Sequence, residues 1–166
     1  MMWTGLSPFQ QRLLDQLAIP APKVPVQVCA GETLSVRRTA DSWHVALPQE
    51  SLVGRAAVLL AENADAAEGF CLEETPAFHR LGVMLDCSRN AVPRPETLRR
   101  LLRILCRMGY QTVQLYMEDV YELEGYPYFG YGRGRYTCDE LRALDGSGEI
   151  LPIELEADFG LAPPVV

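Results

Sequence analysis

Asp86 and Asp119 are the first residues that could do chemistry. Asp86 closes the apolar run Leu81-Gly82-Val83-Met84-Leu85, and Asp119 follows a second run, Gln111 to Met117. A carboxylate at the end of a buried strand can accept hydrogen bonds from ligand hydroxyls, serve as a base, or satisfy neighbouring loop amides. Arg89 lies close to Asp86 and favours the last of these there. Glu118 alternates away from Asp119 and should face outward. Asp139-Glu140 is an adjacent acidic pair, but Thr137 and Glu140 have the spacing of a capping box, which accounts for Glu140 without catalysis. Cys87 follows a strand, yet no histidine stands at a meaningful spacing, so it reads as a core thiol. The five cysteines include no CxxC, and with only two histidines a zinc site is not expected.

Two groups of residues invite a reading as anion or nucleic-acid contacts. Arg99, Arg103 and Arg107 recur every four residues and could bind phosphate, but in an acidic chain they read as a solvated helix face. The segment Tyr126 to Tyr136 mixes tyrosine, glycine and arginine. Such a mixture can stack on single-stranded RNA or on sugar rings. The preceding strand and the following capped helix favour a connecting loop.

The elements that must carry these residues follow from periodicity. Phe9, Leu13 and Leu17 predict a short helix, and Pro20, Pro22 and Pro25 an extended linker after it. Thr33 to Arg38 and Ser42 to Leu47 read as strands joined by a turn at Thr39-Ala40-Asp41. Leu52 to Ala67 reads as a helix ended by Gly69, and Phe70 to Glu74 as a further strand. This makes a small α+β unit, ending near Pro76. Leu81 to Leu85 is then continuous enough for a strand buried on both faces. Pro93 and Pro95 prepare a helix whose apolar stripe is Leu98, Leu101, Leu102, Leu105 and Met108, with Gly109 after it. Gln111 to Met117 is the next strand, parallel to the first by the β-α-β rule. A second helix starts at Thr137 and breaks at Asp145-Gly146-Ser147-Gly148; Ile153 to Leu155 predicts a third strand. Ala162-Pro163-Pro164 reads as unstructured.

Bulk properties narrow the partners. A net charge of −7 offers no basic field for nucleic acid or an anionic membrane. No stretch is long and apolar enough to span a membrane. An odd number of widely spaced cysteines, with no signal-peptide pattern in Met1 to Leu17, suggests free thiols and points to the cytoplasm.

The string from Leu81 to Val92, with Leu85-Asp86 and Arg89 as its LD-x-x-R pattern, resembles the first barrel strand of family 20 glycoside hydrolases, the exo-β-N-acetylhexosaminidases. Met108-Gly109-Tyr110 and Leu115-Tyr116-Met117-Glu118-Asp119 are similar to the second strand of that family, which carries an aspartate at its C-terminal end. Tyr126 to Thr137 resembles a loop of one bacterial subgroup. The resemblance covers about 65 residues.

The resemblance implies an α+β N-terminal domain over residues 1–76, followed over 77–166 by the start of a TIM-type (β/α)8 barrel, left incomplete. It implies hydrolysis of terminal N-acetylglucosamine or N-acetylgalactosamine, with the substrate's own 2-acetamido oxygen as nucleophile, an aspartate orienting it and an adjacent glutamate as the acid. No cofactor is implied. That Asp-Glu pair follows the fourth barrel strand. A barrel takes roughly 250 residues, so the pair is expected beyond Val166 and this chain is expected to be inactive alone. The implied substrate-binding residues are Asp119, Asp86 and Arg80. The family's arginine, however, directly precedes the strand glycine, where this chain has Leu81. Two rivals stand beside this reading: a non-catalytic carbohydrate-binding or interaction module, and an unrelated α/β enzyme using Asp86 or Asp119 as a base. An unclosed barrel sheet would also favour self-association.

Overall fold

The computed structural model describes residues 2–89, 91–144 and 154–158. The chain divides into two compact units: Met1–His79 with Leu105–Gly109, and Arg80–Ile104 with Tyr110–Val166.

In the first unit, β1 (Trp3–Thr4), α1 (Pro8–Leu17), β2 (Val26–Ala30), β3 (Leu34–Arg38), β4 (Trp43–Leu47), α2 (Val53–Glu62) and β5 (Cys71–Glu74) follow in order. The strands form one sheet in the order β1-β2-β4-β3-β5. β3 pairs antiparallel with β4 and β5, whereas β2 pairs parallel with β1 and β4. The strand residues alternate: Val26, Val28, Leu34, Val36, Trp43, Val45 and Leu47 are buried, with polar residues such as Gln27 and His44 between them exposed. The helices close this apolar face with Leu13 and Leu17 from α1 and Val53, Ala56, Ala57, Leu59 and Leu60 from α2. α1 begins on a capping box in which the Gln10 amide donates to the Ser7 hydroxyl at 3.2 Å and the Ser7 amide donates to Gln10 Oε1 at 2.8 Å.

The strands expected around Thr39-Ala40-Asp41 are present, and the Thr39 amide closes that turn on the Ser42 carbonyl at 2.9 Å. Two other expectations need correction. The segment after Pro25 is not all linker: Val-Gln-Val-Cys-Ala is a strand lying between β1 and β4, and its alternation was visible once the prolines ended. The helix expected from Leu52 to Ala67 is shorter. A 3-10 turn, Glu50–Leu52, leads into it, and it stops at Glu62 because both Asn63 nitrogens, backbone and side-chain, take up the Leu59 carbonyl. Gly69 instead begins the next pairing, at φ +85° with its amide on the Arg38 carbonyl.

In the second unit, β6 (Gly82–Asp86), β7 (Thr112–Tyr116) and β8 (Glu154–Asp158) form a three-stranded sheet in the order β6-β7-β8; α4 (Cys138–Leu144) belongs to the same unit, and α3 (Pro95–Met108) belongs to it as far as Ile104. β6 and β7 pair parallel, as the β-α-β pattern predicts, with Asp86 opposite Tyr116; β8 pairs parallel with β7, with Asp158 opposite Tyr116. Val113 and Leu115 of β7 and Leu98 and Leu102 of α3 are buried. The helical stripe does not run its full expected length: Met108 is exposed and Cys106 is buried in its place. Nor is the arginine face fully solvated, since Arg99, Arg103 and Arg107 are half-buried. The apolar run at β6 is not buried on both faces either. β6 is an edge strand, and Leu81, Val83 and Met84 are 37%, 37% and 57% exposed. The break expected at Asp145 to Gly148, the first residue of the Ile153 to Leu155 strand, and the tail at Ala162-Pro163-Pro164 lie outside the described residues. The architecture is mixed α/β, and no helix among the described residues is long and apolar enough to cross a membrane.

Candidate functional site

Parallel pairing brings the C-terminal ends of β6 and β7 side by side, so the loops that follow them share one edge of the sheet. Asp86 is the last residue of β6. Its Oδ1 accepts the Ser88 amide at 2.9 Å and the Arg89 amide at 3.1 Å, and its Oδ2 lies 3.4 Å from the Arg89 guanidinium. These bonds, the Ser88 amide foremost, hold its carboxyl below the usual range. Asp86 thus does what its neighbour Arg89 suggested: it ties its own turn. The Arg89 guanidinium sits over the Tyr116 ring at 5.3 Å, and the Tyr116 hydroxyl donates to Glu118 at 3.0 Å.

Asp119 stands three residues after β7. Its carboxylate accepts from Arg133 Nη1 at 2.6 Å, and both side chains are a little over one-third exposed. The same guanidinium donates to the carbonyl of Ser88, and the Ser88 hydroxyl accepts the Glu118 amide at 2.7 Å. One arginine therefore clasps the loop after β6 to the loop after β7, with Asp119 held at the junction. The path of the loop makes this possible. Gly130 has φ +69°, and a Cβ there would lie 2.3 Å from the Asp119 carbonyl oxygen. Only glycine permits that approach. Ser88 and Arg133 escaped the sequence reading. Ser88 carries only a weak turn signal two residues after Asp86, and nothing in Gly132-Arg133-Gly134-Arg135 tells which arginine turns toward Asp119. The other, Arg135, donates to the Phe129 carbonyl at 2.8 Å and lies 3.7 Å from Glu122.

The floor beneath these loops is apolar. Cys87 is fully buried, and burial pushes its thiol up, opposed by the hydroxyl of Tyr136, so it is no thiolate nucleophile. Tyr136 is buried too, and its hydroxyl donates to the Pro93 carbonyl at 2.5 Å. Its backbone pairs with Val120 and Glu122, which returns the chain to the sheet edge before α4. The capping box predicted at α4 is present: the Thr137 amide donates to Glu140 at 2.9 Å and the Glu140 amide to the Thr137 hydroxyl at 3.1 Å. Glu140 is thereby occupied, and Asp139 pairs with Arg142 at 3.0 Å.

The fold has solved counterparts. A GH20 exo-β-N-acetylglucosaminidase from Vibrio harveyi, in complex with N-acetylglucosamine, superposes with a TM-score of 0.68 at 16% identity, over 93% of this chain and 31% of that one. The β-N-acetylhexosaminidase from Streptomyces coelicolor gives 0.70 at 15% identity, over 93% and 40%. The β-N-acetylhexosaminidase from Bacteroides fragilis gives 0.66 at 16% identity, over 94% and 39%. The fold is like that of the family 20 glycoside hydrolases. This chain spans about a third to two fifths of the length of these structures. No protein-family profile and no curated protein sequence matches it.

Within this family-20-like fold, the structure brings Asp86 and Asp119 to the same end of the sheet and leaves Arg80 at the other. Arg80 precedes the first residue of β6 and Asp86 is its last, so they stand roughly 20 Å apart along the strand at about 3.3 Å per residue. Arg80 lies instead beside a shallow cavity lined by Gly82, Met84, Thr112 and Gln114. Among the described residues no group of three or more His, Cys, Asp or Glu could hold a metal ion, and all five cysteines are free.

Proposed function

We propose that residues 1–76 form the N-terminal domain, and 77–166 the opening of the catalytic barrel, of a β-N-acetylhexosaminidase that releases terminal N-acetylglucosamine or N-acetylgalactosamine from glycans by substrate-assisted retaining catalysis. The observation that carries this reading is the likeness of more than nine-tenths of the chain to such enzymes, with two aspartates at the C-terminal ends of adjacent parallel strands. Barrel enzymes place their chemistry at that end. Asp119 is the pocket carboxylate that accepts sugar hydroxyls, and Asp86 shapes the rim. Arg80, at the opposite end of β6, carries no sugar contact in this reading. The acid and the orienting aspartate belong after a fourth barrel strand, so this chain alone binds the sugar without cleaving it. Free thiols favour a cytoplasmic site of action.

A chromogenic N-acetylglucosaminide tests the absence of cleavage. The purified chain should release no more chromophore than a heat-killed control. Amide spectra during titration with N-acetylglucosamine test binding: Glu118, Asp119 and Arg133 should shift, and Asp119→Asn should abolish the response. Turnover that disappears in Asp119→Asn would make Asp119 a base and favour an independent α/β enzyme. Binding that is indifferent to Asp119→Asn would place the sugar elsewhere and favour a carbohydrate-binding module.

A further inference from the structure

Three tyrosines in the loop after β7 face solvent: Tyr126, Tyr128 and Tyr131 are 63%, 82% and 78% exposed. A floppy segment could expose aromatics by default, but this loop is built. Successive turns close on hydrogen bonds donated by the Tyr126, Phe129, Tyr131 and Arg133 amides to the carbonyls of Leu123, Tyr126, Tyr128 and Gly130 respectively. Arg135 holds the Phe129 carbonyl, and the Phe129 ring packs edge-on against Tyr121 with centroids 5.1 Å apart. Phe129 therefore anchors the loop while Tyr128 and Tyr131, on either side of it, remain outside. Their rings lie 6.2 Å apart at 70°, so one offers a face where the other offers an edge. Gly130, the residue before Tyr131, runs close to the Asp119 backbone carbonyl, and Arg133, two residues after Tyr131, holds the Asp119 carboxylate, so the aromatic corner and the carboxylate belong to one folded loop.

We propose that Tyr128 and Tyr131 form a stacking platform for the sugar rings that follow the terminal residue of an oligosaccharide. This rests on the reading that the Asp119 end of the sheet takes the terminal N-acetylhexosamine. A pyranose has an apolar CH face and a rim of hydroxyls. An aromatic face stacks on the first, and phenol oxygens and the Asp119–Arg133 pair supply partners for the second. Tyrosine provides this area with little side-chain entropy to lose, and a loop already held by turns and by Arg135 has little backbone freedom left to surrender on binding. The net charge of −7 disfavours a single-stranded nucleic acid as occupant of the same rings. The platform makes the protein a reader of chain length: it distinguishes a free monosaccharide from one attached to further sugars.

The test is an amide-spectrum titration of the full chain with N-acetylglucosamine and with its β-1,4-linked trimer. The trimer should bind roughly tenfold more tightly, and only the trimer should shift Tyr128, Tyr131 and Gly132. Tyr128→Ala and Tyr131→Ala should each weaken the trimer about three- to tenfold and leave the monosaccharide unchanged, while Tyr131→Phe should keep most of the gain. Both positions are exposed, so the variants should fold; unchanged amide dispersion checks this. Equal affinity for the two sugars, with 126–131 unmoved, would overturn the platform and leave the Asp119 site standing. A trimer that shifts only 126–131 and is indifferent to Asp119→Asn would support the platform and overturn the Asp119 site. No shift with either sugar would overturn both.

Discussion

β4 and β6 are both five residues long and each carries a contiguous run of three apolar residues, yet the first is buried and the second largely exposed. β4 reads Trp-His-Val-Ala-Leu and interrupts its apolar residues with a histidine; Trp43, Val45 and Leu47 are nevertheless at most 4% exposed. β6 reads Gly-Val-Met-Leu-Asp, nearly continuous, yet Val83 and Met84 are 37% and 57% exposed. The difference is the number of neighbours. β4 lies between β2 and β3, whereas among the described residues β6 pairs with β7 alone. An apolar run records how much cover a strand wants, and the sheet order decides how much it gets. The covered sheet is a stability element; the partly covered one carries the loops with the polar clasp and the exposed tyrosines.

The largest test of this contrast is a pair of truncations. Trp43→Ala should cost about 3–5 kcal/mol of unfolding free energy, because the ring is buried and packs edge-on with Phe70. Met84→Ala should cost under about 1 kcal/mol, since most of its side chain is already in water. Urea denaturation measures both, and similar costs would break the comparison. Within the second unit, Gly130→Ala should cost about 1–3 kcal/mol, from a left-handed backbone and a collision with the Asp119 carbonyl. It should also loosen the Arg133 clasp, seen as faster amide exchange at Glu118 and Arg133.

A smaller effect is expected at the open strand. Its exposed edge and the side chains of Val83 and Met84 should drive concentration-dependent self-association, read by light scattering. Met84→Lys should reduce that association while changing stability by no more than about 0.5 kcal/mol. A wild-type chain that stays monodisperse at high concentration would show that the edge is harmless. The smallest effect concerns acid. The Asp86 carboxyl titrates below its ordinary value of about 3.9, so its folded form binds protons less readily than the unfolded chain. Its contribution is full above the unfolded value and is lost as pH falls through the folded one. Thermal midpoints measured from pH 5 down to pH 2 should fall, and Asp86→Asn should make that fall slightly shallower. An identical slope would mean the Ser88 and Arg89 amides contribute nothing to it.

Local chemistry was legible in the residues alone. The α4 capping box, the turn after β3 and the turn-tying role of Asp86 depend on contacts within a few positions, and the strand-helix-strand alternation from Leu81 to Tyr116 on local periodicity. The strand at Val26–Ala30 carries a weaker signal than the three prolines just before it, and Asn63, which ends α2, is a weaker stop signal than Gly69.

What needed the tertiary structure is whatever joins distant segments. Arg133 meets Asp119 and Ser88 across 14 and 45 residues, and no local pattern selects it over Arg135. Arg80 stands six positions before Asp86, and because the chain is extended between them the two lie toward opposite ends of β6. The sequence by itself determined which residues are hydrophobic, which cap helices and which can turn. Pairing order and register, set by cooperative packing across the whole unit, decided which apolar run is covered, which carboxylate is clasped and which aromatic rings are left free to meet a ligand.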